Sequence, residues 1–189
     1  MASSSAKTLR DVAFIAVFAA LIIAFAFVSI PTGSGVPIVM QNAVIILAGL
    51  VLGGKRGFFA AGLFLLLGML GLPVLAGGRN VLSALAGPSV GYLVGYVVSP
   101  ALAGFVAYLA PRGKAGMTLT FAIAGIVGLL TQYTCGIIGL IARVHLDFKA
   151  ALLAQVPFLG PDAAKVAVMV VVAIAVHAAF PDLMARSRR

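Results

Sequence analysis

Asp162 and Lys165 stand three residues apart in Pro157-Phe158-Leu159-Gly160-Pro161-Asp162-Ala163-Ala164-Lys165, a charged pair opening an otherwise apolar stretch. That spacing puts both side chains on one face of a helix, and the Gly-Pro before them reads as a turn, so the helix is predicted to start at Asp162 and run to Phe180. Asp is a good N-cap and a lysine can snorkel to lipid headgroups, which gives both residues a structural account. The positive end of the helix dipole disfavours a lysine there, and the cap alone leaves that unexplained. Ionisable groups at membrane depth face a bundle interior or a solute path; on that reading the pair faces a ligand, the carboxylate accepting hydrogen bonds and the ammonium donating them.

A second group of polar residues lies in Leu72-Pro73-Val74-Leu75-Ala76-Gly77-Gly78-Arg79-Asn80 and in Ala86-Gly87-Pro88-Ser89-Val90-Gly91-Tyr92. Gly77 and Gly78 allow positive φ and close backbone approach, so this loop folds tightly against something. Arg79 offers a fork suited to a carboxylate or phosphate, Asn80 both donates and accepts, and Tyr92 adds a ring with a hydroxyl. A solvated arginine, a turn asparagine and an interfacial tyrosine account for the same three residues without a ligand. Gln41 and Asn42 place two amides near the end of an apolar helix. Gln41 either bonds neighbouring helices or faces a ligand.

The elements that must position these groups are membrane helices. Of 189 residues, 63% are hydrophobic and 9% charged, far from the roughly one-quarter charged of a soluble domain. The expected fold is all-α, a single membrane domain over residues 1–189. Its six transmembrane helices are expected over about 11–30, 37–53, 57–74, 88–110, 117–142 and 162–180, each near the roughly twenty residues that cross the hydrocarbon layer. Lys7 and Arg10 before the first span resemble a signal peptide, but the apolar stretch exceeds the ~7–15 residues of such a core. The +9 net charge reads as topology and not as nucleic-acid binding: with both termini cytoplasmic, Lys7, Arg10, Lys55, Arg56, Arg112, Lys114, Arg186, Arg188 and Arg189 lie inside, nine of thirteen cations, as the positive-inside rule asks.

Small residues at four-residue spacing let membrane helices approach. Ala16, Ala20 and Ala24 form such a strip on the first span, for packing inside the bundle or for docking another membrane protein; Gly91 and Gly95, with Gly87 before them, read as internal packing. Among the four acidic residues, Asp11 at a helix start and Asp182 near the arginine tail read as structural, and Asp147 as part of a solvated loop. Cys135 is the only cysteine and reads as packing, and His145 and His177 are too far apart for a metal site. Gly49-Leu50-Val51-Leu52-Gly53-Gly54-Lys55-Arg56 nearly matches a phosphate-binding loop, but Arg56 stands where Ser or Thr must reach magnesium, so no nucleotide site or other cofactor is expected. No nucleophile–base arrangement appears, which argues against an enzyme, and the absence of acidic residues in the inner half of the spans that could relay protons argues against an ion-coupled carrier. Energy for active transport must come from elsewhere.

Val36-Pro37-Ile38-Val39-Met40-Gln41, Leu47 through Gly57, Leu70 through Gly78, Gly87-Pro88-Ser89-Val90-Gly91-Tyr92-Leu93-Val94-Gly95-Tyr96 and Pro161-Asp162-Ala163-Ala164-Lys165, in that order, resemble the BioY family. These are substrate-binding S components of biotin transporters of the energy-coupling factor (ECF) class. The resemblance covers nearly the whole chain. It implies a six-helix S component in a prokaryotic cell membrane that binds biotin on its outer side and associates with a transmembrane coupling protein and two ATP-binding cassette ATPases. It also implies that Asp162 and Lys165 bind biotin and that the Ala16, Ala20, Ala24 strip contacts the coupling protein, against the packing reading. Gly160-Pro161-Asp162 and Gly87-Pro88-Ser89-Val90-Gly91-Tyr92 differ from the family's usual Pro-Gly-Asp and Gly-Pro-Thr-Gly-Gly-Tyr. The alternatives are an S component for another vitamin, or a stand-alone carrier or channel.

Overall fold

A computed structural model of the chain describes residues 2–30, 36–111, 113–181 and 183. Arg112, Asp182, Arg186, Arg188 and Arg189, which enter the charge reading, lie outside the described residues. Among the described residues eight α-helices follow in order: α1 (Ala2–Ala24), α2 (Gln41–Leu52), α3 (Gly54–Met69), α4 (Val81–Leu85), α5 (Val90–Ala107), α6 (Lys114–Val144), α7 (Phe148–Leu153) and α8 (Val156–Ala179). After α1 and a 3-10 turn at Phe25–Phe27, strands β1 (Ser29–Ile30) and β2 (Ile38–Val39) pair antiparallel, Ser29 opposite Val39 and Ile30 opposite Ile38. This ribbon brings Val36–Val39 across one end of the bundle. Four stretches, 6–27, 90–107, 114–144 and 148–179, are long and apolar enough to cross a membrane; α2 and α3, with 12 and 16 residues, rise only about 18 and 24 Å.

The first helix begins at Ala2 and ends at Ala24, ahead of the expected 11–30, but the departure that bears on the charged pair concerns the last span. Its helix begins at Val156, with Pro157 in the first turn where a missing N–H costs nothing, and Pro161 lies inside it. Asp162 is therefore not an N-cap but sits in the second turn, so neither the capping account nor the unfavourable dipole account of the pair applies. Asp11 likewise lies well inside α1, where it pairs with Arg56 of α3 at 2.9 Å. Asp147 is no mere solvated residue: its Oδ1 accepts from the Ala150 N–H and caps α7.

Glycines set how closely the helices cross. A Cβ on Gly91 would run into the Cys135 carbonyl and Gly139, and one on Gly95 into Gln132, so α5 and α6 meet backbone to backbone, as close packing between membrane helices requires. Gly49 abuts Pro100, Gly57 abuts Gly49, and Gly104 abuts Gly54, which draws α2, α3 and α5 together. At Gly53, φ of 84° lets α2 turn directly into α3. Two apolar cores result. One, built on Ile22, Ile45, Phe64, Val74, Tyr92, Tyr96 and Phe158, underlies the ribbon; the other, built on Ile46, Leu50, Phe121, Leu129, Met169 and Val170, fills the opposite half. Large apolar side chains such as Phe105, Leu130 and Val171 point outward, a surface suited to lipid.

Ala16, Ala20 and Ala24 all lie on the exposed face of α1, while Ala19, Ile22 and Ala26 of the α1 region are buried. The strip does not pack inside the bundle, because the neighbouring face does.

Gly91→Val should lower the thermal unfolding midpoint of the detergent-solubilised chain, since overpacking costs about 1–3 kcal/mol. Gly160→Ala, whose added methyl meets nothing within 4 Å, should leave it unchanged or raise it.

Candidate functional site

The charged pair lies in a closed polar cluster under the ribbon. Lys165 Nζ is 2.6 Å from Asp162 Oδ1 and also donates to the Val39 carbonyl at 2.7 Å and to Asn42 Oδ1 at 3.1 Å. Asn42 Nδ2 donates to Asp162 Oδ1 at 3.2 Å, and Tyr133 Oη donates to Asp162 Oδ2 at 2.7 Å. An ammonium has three donors; all three are used. Each carboxylate oxygen accepts at least one bond. Asp162 and Lys165 are only 2% and 6% exposed, and burying two charges is tolerated when their remaining lone pairs and protons are satisfied.

Four elements supply the cluster. The helical turn of α8 puts Asp162 and Lys165 on one face; α2 opens with Gln41 and Asn42; α6 contributes Tyr133; the ribbon contributes a backbone carbonyl. Gln132 of α6 donates to the Asn42 carbonyl at 3.3 Å and to Ser99 Oγ at 3.0 Å, which fixes the start of α2 against α5 and α6. Tyr92 Oη donates to Gln155 Oε1 at 2.7 Å, and Gln155 Nε2 donates to the Ala151 carbonyl, tying α5 to the approach to α8.

Two cavities of about 30 Å³ each adjoin the cluster, each with room for about one water molecule. One is bounded by Asn42, Tyr133, Phe158, Asp162 and Lys165, the other by Gln41, Ala76, Arg79 and Ser89. Val36, Pro37, Val39, Tyr92 and Tyr96 border both. A third, apolar cavity of about 280 Å³ between Pro88, Leu140, Val144 and Phe158 also touches Tyr92. The arrangement suits a flat polar group held between aromatic rings, with an acceptor–donor pair at one end and a guanidinium at the other.

Of the residues expected at a site, Asp162, Lys165, Tyr92, Gln41 and Arg79 converge on these cavities. Gln41 is also committed to structure: its Nε2 donates to the carbonyls of Ile22 and Val74, joining α1 and the Leu72–Val74 loop to α2. Gly77 and Gly78, with φ of 75° and 70°, form the turn that lets the Leu75 N–H bond the Arg79 carbonyl, and Arg79 Nε donates to the Ala76 carbonyl at 3.2 Å. They shape the arginine's loop and line neither small cavity. Asn80 lines neither as well; its Oδ1 caps α4 through the Ser83 N–H at 2.8 Å.

Asn42, Ser89, Tyr96, Gln132, Tyr133 and Gln155 were not singled out as site residues from the sequence. Buried Gln132 carries a usable signal, since an amide inside an apolar helix needs partners; Gln155, in the turn before α8, carries none. Ser89 is 7% exposed and its hydroxyl is buried with no hydrogen-bond partner, beside the cavity that Arg79 borders.

Residues 1–182 match the profile of the BioY family. The chain is 35% identical over 185 residues to the biotin transporter BioY of Rhizobium etli, covering 94% of this chain and 98% of that one. It is 37% identical over 174 residues to the biotin transporter BioY of Rhodobacter capsulatus, covering 87% and 91%. A crystal structure of the S-component for biotin from an ECF-type ABC transporter superposes with a TM-score of 0.78 at 30% identity, over 88% of this chain and 90% of that one.

Lys165→Met should strip Asp162 of its cation and lower stability by about 3–5 kcal/mol, the cost of breaking a buried ion pair on one side. Adding Asp162→Asn should recover most of it. Thermal unfolding of the single and double variants in detergent measures both.

Proposed function

The chain belongs to the BioY family, and on that premise we propose that it captures biotin as the S component of an ATP-driven ECF transporter. The observation that carries this reading is the buried Asp162–Asn42–Lys165 cluster beside aromatic-walled cavities. Biotin's ureido ring carries two N–H donors and one carbonyl acceptor. Asp162 receives the N–H side, and the Lys165 ammonium meets the carbonyl. Tyr92, Tyr96 and Phe158 flank the apolar ring and chain, and the terminal carboxylate reaches Arg79. Arg79 is preferred to Lys165 for that carboxylate because the lysine donors are directed at the Val39 carbonyl, Asn42 and Asp162, where the ring is placed. Asn42, which donates to Asp162 and accepts from Lys165, supplies beside the ring the amide that was expected of Asn80.

The two small cavities are too small for biotin as they stand, so binding displaces side chains. The cluster supplies the exchange: the Val39 carbonyl and the Tyr133 hydroxyl each occupy a bond that a ligand atom can take over.

Six helices, α1, α2, α3, α5, α6 and α8, cross a prokaryotic plasma membrane as one domain with both termini cytoplasmic. α2 and α3 are short spans completed by the ribbon and by the chain after Met69. Lys7, Arg10, Lys55, Arg56 and Lys114 mark the inner end, and Arg79, Arg143 and Lys149 the outer. The exposed Ala16, Ala20, Ala24 strip docks the coupling protein, which brings the two ATPases; with no energy source in the chain itself, this reading is favoured over a stand-alone carrier or a channel.

Titration of the purified chain with labelled biotin tests the assignment. Asp162→Asn should weaken binding about ten- to a hundred-fold, the cost of ~1.5–3 kcal/mol for a charged hydrogen bond. The Asp162→Asn, Lys165→Met double variant separates binding from folding, since it should fold yet fail to bind; undiminished affinity in it refutes the role of the pair. For the strip, Ala16→Phe with Ala20→Phe should leave biotin binding intact while uptake and co-purification of the coupling protein are lost. Continued co-purification would place the docking surface elsewhere.

A further inference from the structure

At the far end of α2 from the polar cluster lies a groove of about 660 Å³ between α3 and α5. α2 separates the two by 12 residues, about 18 Å along its axis. The groove owes its existence to the glycine crossing: Gly54 and Gly104 bring the two backbones together, so the larger side chains beside them splay outward. Phe58 and Phe59, locked edge to face at 5.6 Å, form one wall; Phe105 and Leu109, each about two-thirds exposed, form the other. Lys55 lines the groove beside Gly54. Its neighbour Arg56 is engaged by Asp11, whereas Lys55 is exposed and has no ion pair among the described residues. The Tyr108 hydroxyl, also in the groove, is already committed to the Val51 carbonyl at 2.8 Å.

We propose that this groove binds one anionic phospholipid of the bilayer, its acyl chain between Phe58 and Phe105 and its phosphate on Lys55. A protruding aromatic rim suits a flexible chain and is poorly shaped for a second helix, which needs small residues to approach; the smooth alanine face of α1 is the surface of that kind. An apolar slot lined by an uncompensated lysine complements an anionic lipid in both parts, and basic pockets between membrane helices commonly hold such headgroups. The binding is independent of the substrate cluster and gives the short helices α2 and α3 a fixed lipid neighbour at their junction.

Native mass spectrometry of the full chain in detergent, with phosphatidylglycerol and phosphatidylcholine added in equal amounts, tests the proposal. The chain should retain phosphatidylglycerol in about five-fold excess, the effect of one lysine near an anionic headgroup. Lys55→Gln should bring the two lipids to parity while biotin binding is unchanged, which shows the variant to be folded. Equal retention by the unaltered chain, or a preference that survives Lys55→Gln, overturns the proposal. A photo-crosslinking benzoylphenylalanine at position 105 should acquire a lipid mass in membranes that also hold the coupling protein; a polypeptide adduct would assign the groove to a protein partner and overturn it.

Discussion

An ion pair with almost no access to water organises one end of this molecule. Isolated charges in an apolar interior cost several kcal/mol even after relaxation, so Asp162 and Lys165 require each other and every remaining bond. Meeting that requirement fixes much else. Asn42 must sit at the start of α2, Tyr133 must reach across from α6, and the Val39 carbonyl must lie over the cluster, which the short ribbon achieves. The same demand makes the cluster suited to recognition. A carboxylate and an ammonium held 2.6 Å apart present acceptor and donor side by side, the pairing that the proposed recognition of a cyclic urea calls for.

That polar end is held by an apolar scaffold whose geometry glycine sets. Where Gly91 faces Gly139 and Gly104 faces Gly54, backbones touch, and the helices converge tightly enough for side chains from α2, α6 and α8 to meet. The crossing of α2, α3 and α5 has a second consequence at the other end: helices that touch at glycine splay their aromatic residues, and the lipid-facing groove is the space between them. One packing device thus serves both a closed polar cluster and an open apolar slot.

Much of this was legible in the sequence because charge is so rare in it. With four acidic residues in the chain, Asp162 three residues before Lys165 drew attention without any structure, and the apolar runs marked the helices. What the sequence concealed was the start of the last helix. Gly160-Pro161 reads as a turn, but the helix begins at Val156 and carries Pro161 inside it. Asn42 and Tyr133 could not be placed from spacing, since they reach Asp162 across 120 and 29 residues. Asn80, before Val-Leu-Ser, has a local use as a helix cap, its Oδ1 accepting from the Ser83 N–H. The Ala16, Ala20, Ala24 strip shows the limit of periodicity, which identifies a smooth face but not which way it points. Ala19 and Ile22, on another face of the helix, take the interior instead.

The central claim is that the Lys165 ammonium receives a ureido carbonyl while the Asp162 carboxylate receives its N–H groups. Replacing that carbonyl alone isolates the claim. 2-Iminobiotin keeps the bicyclic frame, the chain and the carboxylate but presents nitrogen-bound hydrogen where biotin presents an acceptor. Calorimetric titration of the purified chain with the two ligands should show binding of 2-iminobiotin weaker by about a hundred-fold, as expected when a buried donor of ~2–3 kcal/mol is left facing another donor. Equal affinity for both would mean that the ring is held by shape and apolar contact, and would contradict the account.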